Sequence, residues 1–116
     1  MSPKRGDRVA PPPGPGEWEV RFGTTEAAKG WSALGEVAAG NVLAAWAVMR
    51  SNPRPPIDSR HTPLKHELAT RHINGRACEQ WQIEVTGSGR VWYAIDDQRR
   101  TVWVTAATAG HPKATE

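Results

Sequence analysis

Three runs of strand-forming residues between positions 79 and 106, the first of which alternates apolar with polar residues, constrain the fold more than any other feature. Side chains alternate between faces along a strand, so Trp81, Ile83 and Val85 of the first run fall on one face. The runs 79–86, 90–96 and 101–106 are separated only by a Gly-Ser-Gly turn and by residues 97–100. Such short connections join antiparallel neighbours, so the sequence predicts a β-meander.

The first half of the chain predicts one strand followed by a helical hairpin. Residues 17–22 alternate with the period of a half-buried strand, and Thr24 or Thr25 can then cap a helix. The apolar positions of that helix are Ala27, Ala28, Trp31, Leu34 and Ala38. Gly40-Asn41 interrupts the pattern, and Pro53 ends a second stripe formed by Val42, Ala45, Trp46 and Met49. The expected class is α+β, with both helices on one sheet face and the other face partly open.

Composition predicts a single domain preceded by a tail. Residues 1–16 combine Lys4, Arg5 and Arg8 with several prolines, which favours a disordered basic segment. The expected division is this tail, one domain over residues 17–113 and a short C-terminal tail over residues 114–116. The single Cys78 excludes an intrachain disulfide, and the chain lacks both a signal-like layout and a long apolar run. These features predict a cytoplasmic protein that does not engage a membrane.

The positive charge is concentrated between residues 50 and 76. The chain carries a net charge of +3, and this segment contains six Lys or Arg residues and three His against Asp58 and Glu67. Its proline-rich part, residues 52–63, and the Asn74-Gly75 pair predict a loop-rich surface. Such a segment suits either a partner with phosphates or acidic groups, or simple solvation.

Three short motifs occur in order along the chain: Pro63-Leu64-Lys65-His66-Glu67-Leu68 before the sheet, a strand motif at residues 89–97, and Gly110-His111-Pro112-Lys113 at the end. Together they resemble motifs of the RelE/ParE superfamily of toxins, most closely those of its YoeB-like members. The resemblance covers about residues 18–113 and implies a RelE-like fold. It also implies a toxin of a type II toxin–antitoxin system that cleaves mRNA in the ribosomal A site without a metal or cofactor.

The resemblance assigns roles to particular residues. It implies a catalytic set of Lys65, His66, Arg90 and His111, in which Arg90 holds phosphate oxygens and His111 is the general acid. The expected RNA contacts are Arg60 and His61 of the basic segment, Tyr93 of the strand motif and Lys113 of the closing motif. Tyr93 and Trp92 lie on opposite faces of one strand, so one belongs to the core and the other can stack on a base.

The sequence departs from the family pattern at three positions. Thr62 replaces a frequent Glu that serves as the base, Glu84 stands where Arg is common, and Pro112 displaces a terminal aromatic. His61, Lys65 or His66 could substitute for the missing base. Glu84 could pair with Arg90 or act as the base itself, and the alternative for Arg90 is a strand-edge residue that is exposed to solvent or paired with Glu84 or Asp96.

Two other functions therefore stay open. One is a gyrase-inhibiting, ParE-like binding toxin, and the other is an inactive RelE-fold protein that only binds an antitoxin or nucleic acid. The histidines favour RNA cleavage over gyrase inhibition. The expected partners are a cognate antitoxin, the ribosome and mRNA, in a homodimer or a toxin–antitoxin hetero-oligomer.

Overall fold

The computed structural model describes residues 3–110 and contains two α-helices and a six-stranded mixed sheet. The helices are α1 (Thr25–Val37) and α2 (Ala39–Ser51), and a 3₁₀ turn spans His66–Leu68. The strands are β1 (Glu19–Phe22), β2 (His61–Pro63), β3 (Thr70–Ile73), β4 (Arg76–Glu84), β5 (Arg90–Asp96) and β6 (Thr101–Thr108). The predicted α+β class is confirmed.

The last three strands form the antiparallel meander that the sequence predicts. The strand order is β1-β6-β5-β4-β2, and β3 also pairs with β4. β1 runs parallel to β6, in a register that places Val20 opposite Val102. β2 and β3 share the outer edge of β4, where Thr62 lies opposite Gln82 and Arg71 opposite Cys78.

Both helices pack on one face of the sheet, as the alternation predicts. Ala27, Ala28 and Leu34 of α1 are buried, as are Val42, Ala45 and Met49 of α2. They meet the sheet residues Val20, Phe22, Trp81, Ile83, Val85, Val91, Tyr93, Ile95, Val102, Val104 and Ala107. Burial of this apolar surface is the main stabilising contribution to the fold.

The helix boundaries differ from the prediction at one point. Thr24 caps α1, because its hydroxyl accepts a hydrogen bond from the Ala27 amide at 2.9 Å. The break between the helices falls at Ala38 rather than at Gly40-Asn41, which lie in the first turn of α2. The Asn41 side chain instead donates to the carbonyl of Val85 at 2.8 Å, so it joins α2 to the sheet.

Two segments are more ordered than their composition predicts. The basic segment contains β2 and β3 rather than loop alone, because hydrogen bonds to β4 hold the short strands in place. The proline-rich tail lies along β1, since the Gly6 and Val9 amides donate to Phe22 and Val20 at 2.7 and 2.8 Å. Among residues 3–110, no helix is long and apolar enough to cross a bilayer.

Candidate functional site

A row of basic side chains follows the outer edge of the sheet. It consists of Arg60, His61, Lys65, His66 and Arg71, which we call the basic edge. Backbone hydrogen bonds to β4 fix this row: the Glu84 amide donates to the Arg60 carbonyl at 2.8 Å, and the Leu64 amide donates to the Gln80 carbonyl at 2.9 Å. The edge therefore presents its cations from a fixed backbone.

The longer cations of the basic edge are available to a ligand. Arg60, Lys65 and Arg71 are exposed, and within residues 3–110 none of them forms an ion pair or a side-chain hydrogen bond. His61 differs, because its Nδ1 lies 2.9 Å from a carboxylate oxygen of Asp58. This contact and the Arg60 amide lower the pKa of Asp58 below its usual range. His61 is thus engaged within its own loop.

Lys65 and His66 occupy a tight turn held by Gln80. The side-chain Nε2 of Gln80 donates to the Leu68 carbonyl at 2.9 Å, and the backbone amide of Gln80 donates to the Ala69 carbonyl at 2.9 Å. His66 has a φ of 57°, which is unusual for a residue other than glycine. Gln80 is buried, whereas the side chains of Lys65 and His66 are exposed. The turn is therefore fixed to the sheet while its two basic side chains face solvent.

The Arg90 side chain forms its contacts within the β4–β5 hairpin. Its side chain lies 3.1 Å from Glu84, and its Nη1 donates to the carbonyls of Thr86, Gly87 and Gly89 at 3.3, 3.4 and 3.1 Å. Arg90 as a whole is only 8% exposed. This arrangement matches the alternative in which Glu84 holds Arg90. The guanidinium stabilises a turn and has little surface left for a phosphate.

The predicted catalytic residues do not meet at one point. Arg90 lies opposite Glu84, whereas the turn carrying Lys65 and His66 is attached at Gln80, four positions earlier on β4. Four residues of strand correspond to about 13 Å. Arg60 is closer to Arg90, because it lies on the other side of Glu84. Lys65 and His66 therefore lie apart from Arg90, and Arg60 and Arg90 flank Glu84 from opposite sides of β4.

Tyr93 belongs to the core, so the expected RNA contact at this residue is wrong for the described conformation. Its side chain is fully buried, and its hydroxyl donates to the Pro53 carbonyl at 2.7 Å. Trp92, on the opposite face, is 8% exposed, and its Nε1 donates to Gln82 at 2.8 Å. Alternation alone could not tell which of the two strand faces the helices cover.

The chain's single tyrosine makes this burial directly measurable. Burial raises the pKa of Tyr93 above its usual range. The unfolded phenol ionises near pH 10 and the folded one does not, so stability falls as pH rises above about 10. We expect the near-ultraviolet phenolate absorbance to appear together with the loss of far-ultraviolet circular dichroism. A phenolate signal near pH 10 from a chain that is still folded would contradict the burial.

His111 and Lys113 lie outside the described residues. The last strand places Thr108 opposite Arg90, and Gly110 is the last described residue. The Ser88 hydroxyl donates to the Ala109 carbonyl at 3.0 Å, which joins this end of the chain to the β4–β5 turn.

The structure also contains a groove that the sequence did not predict. It is a groove of about 670 Å³ between the N-terminal segment, the start of α1 and the β3–β4 turn, and Arg5, Arg71 and Trp103 line it. Trp103 alternates with core residues along β6 and therefore resembles an ordinary strand residue in the sequence. The groove around Trp103 forms only because the N-terminal segment and the β3–β4 hairpin lie on either side of it.

The chain matches no family model, no curated protein and no solved structure. The fold and the chemistry of its own side chains therefore carry the functional argument.

Proposed function

We propose that this chain is a RelE-like toxin that binds mRNA with its basic edge and cleaves it on the ribosome. The observation that carries the proposal is that Arg60, Lys65 and Arg71 are exposed and have no ion-pair partner within residues 3–110, with His66 next to Lys65 on an anchored turn. Phosphates supply most of the affinity between proteins and nucleic acids, and unpaired Lys and Arg residues are what they require. The order of strand, two helices and meander also agrees with the plan that the motifs imply.

Cleavage without a metal requires a base, a cation and an acid. In the proposed reaction His66 accepts the proton of the 2′-hydroxyl, because imidazole is suited to proton exchange at neutral pH. The 2′-oxygen then bonds to phosphorus, and the bond from phosphorus to the 5′-oxygen breaks. Lys65 stabilises the charge on the phosphate, and the 5′-oxygen leaves with a proton from an acid. The motif resemblance assigns that acid to His111, which lies outside the described residues; the described chain end at Ala109 is joined to the β4–β5 turn and not to the turn of His66.

A cognate antitoxin is the proposed protein partner. An acidic segment laid along Arg60, Lys65 and Arg71 would neutralise the charges that bind RNA. Binding of this kind would block the basic edge without altering the fold, in a toxin–antitoxin hetero-oligomer.

A second candidate is a RelE-fold protein that binds RNA or an antitoxin without cleaving. The engagement of Arg90 by Glu84 and three carbonyls favours it, since that arginine has few donors free for a phosphate. Thr62 and Glu84 are departures that point the same way.

Mapping of mRNA 5′ ends after tightly controlled induction tests the proposal. We expect growth arrest and new cuts inside reading frames with the natural chain. His66→Ala should reduce cutting by about 100-fold or more, because a positioned acid or base contributes that much. Lys65→Ala should also reduce it, whereas the matched control Lys29→Ala, at an exposed position of α1, should not.

The alternatives give different results in the same experiment. Arrest without cuts would indicate a toxin that acts by binding, such as a gyrase inhibitor. Neither arrest nor cuts would favour the non-cleaving RelE-fold protein. Cuts that persist in both His66→Ala and Lys65→Ala would overturn the assigned chemistry.

A further inference from the structure

The groove around Trp103 combines an aromatic residue with the two arginines Arg5 and Arg71. Its borders are Arg5 and Gly6 of the N-terminal segment, the start of α1, and residues 71–74, which comprise the end of β3 and the first residue of the β3–β4 turn. Its volume of about 670 Å³ is within the range of small-ligand sites. Three separate parts of the chain meet here, so the groove is a product of the tertiary fold.

The charge of the groove favours an anion. Arg5 and Arg71 are exposed, and within the described part of the chain neither forms an ion pair or a side-chain hydrogen bond. His72 adds a third basic group, and Glu26 is the single carboxylate among the described lining residues. The remaining lining side chains are neutral.

Trp103 differs from its neighbours on the sheet face that the helices leave uncovered. Ala94 lies opposite it on β5, and Arg21 lies opposite it on β1. Ala94 is fully buried, whereas Trp103 keeps part of its surface. Its indole Nε1 has no hydrogen-bond partner among the described residues, although nearly every buried donor has one. The indole N–H is thus buried without a described partner, while another part of the same side chain lines the groove.

We propose that this groove binds one unpaired nucleotide of an RNA strand, with the base against Trp103 and the flanking phosphates on Arg5 and Arg71. Aromatic side chains that stack on bases, beside cations that contact the backbone, are the general means of binding single-stranded nucleic acid. A base in a duplex has no free face, so the ligand is single-stranded. The inference rests on the proposed RNA function and adds to it a place for a nucleotide.

Arg71 connects the groove with the basic edge. It belongs to β3, on the outer side of β4, and it also lines the groove. An RNA strand that follows the basic edge from Arg60 past Lys65 passes the exposed Glu67 and then reaches Arg71, which also borders the groove of Trp103. The groove then holds a nucleotide outside the position of cleavage, which makes it a contact for binding and for selection of single strands.

Binding of a labelled hexa-adenylate to the full chain tests this inference. The 2′-hydroxyls are methylated so that the strand cannot be cut, and fluorescence anisotropy measures Kd at several salt concentrations. We expect Trp103→Ala to raise Kd by about tenfold, from the loss of one stacked base, and Trp103→Phe to restore most of the affinity. Arg5→Gln and Arg71→Gln should each lower the salt slope by about 0.7, whereas Lys29→Gln should leave it unchanged.

A spectroscopic readout keeps the test independent of folding defects. The indole N–H resonance of Trp103, identified by its absence in Trp103→Phe, should shift on addition of hexa-adenylate and not of a short RNA duplex. If Arg71→Gln loses affinity but Trp103→Ala does not, the groove is not a nucleotide site. RNA would then bind only along the basic edge. If the natural chain does not bind hexa-adenylate at all, the proposed nucleotide site is wrong as well. The proposed cleavage function would still be tested separately, by the presence or absence of ribosome-dependent cuts in mRNA.

Discussion

Gly30→Ala is expected to destabilise the chain severely. Gly30 lies in the middle of α1, where the helix crosses β6, and a Cβ built on it would overlap the backbone carbonyl oxygen of Ala107. Backbone cannot move aside as a side-chain end can, so α1 would have to shift away from the sheet and open the contacts of Ala27, Ala28 and Leu34. We expect a loss of about 3 kcal/mol in the free energy of unfolding, at the upper end for overpacked cores.

Gly35→Ala is the matched control in the same helix. A Cβ on Gly35 would meet nothing within 4 Å, so only the helix propensity changes. Alanine is preferred over glycine in helices by about 1 kcal/mol, and we expect Gly35→Ala to be stabilising by up to that amount. Urea unfolding followed by circular dichroism measures both variants. Equal effects of the two substitutions would show that close packing of α1 on β6 is not what requires Gly30.

The elements with regular periodicity could be predicted from the sequence. The alternation in β4, the short apolar runs in β5 and β6 and the stripes in α1 and α2 arise from side chains that are buried in one core, and such patterns survive in the sequence. The requirement for glycine at position 30 could not be predicted, since a helical glycine looks the same whether it meets solvent or a carbonyl. That distinction depends on how closely α1 approaches β6.

The short edge strands could not be predicted for a related reason. β2 and β3 have three and four residues, and none of their residues is buried. They exist through backbone pairing with β4, and backbone hydrogen bonds leave little trace in the choice of side chains. The Asn74-Gly75 turn was predicted, because both residues adopt a positive φ, at 51° and 81°, which their types favour.

The sequence predicted which residues belong to the candidate site better than it predicted how those residues are arranged in space. The exposed cations Arg60 and Lys65 were identified from charge and motif, and Trp103 was not, because its role depends on segments distant in sequence. The motif singled out Arg90, but its engagement by Glu84 and the hairpin carbonyls is a matter of three-dimensional structure. For that reason Arg90 calls for a measurement that separates stability from activity.

Arg90→Ala is expected to lower the free energy of unfolding by about 3 kcal/mol, because it removes a nearly buried charge and leaves its partners unsatisfied. The carbonyls of Thr86, Gly87 and Gly89 lose a donor, and Glu84 loses its ion partner. Arg90→Lys should recover part of the stability, since one ammonium group cannot replace the planar set of donors. Thermal and urea unfolding of the purified variants measure these differences.

Glu84→Gln then separates the two roles of Arg90. It removes the ion pair but leaves the three carbonyl contacts, so we expect a smaller loss of stability, about 1 kcal/mol. It also frees one side of the guanidinium. If Arg90 contacts phosphate, Glu84→Gln should keep or increase RNA cutting while Arg90→Ala abolishes it at a temperature where that variant is folded. If Arg90 only closes the hairpin, cutting by the folded fraction of Arg90→Ala should equal that of the natural chain.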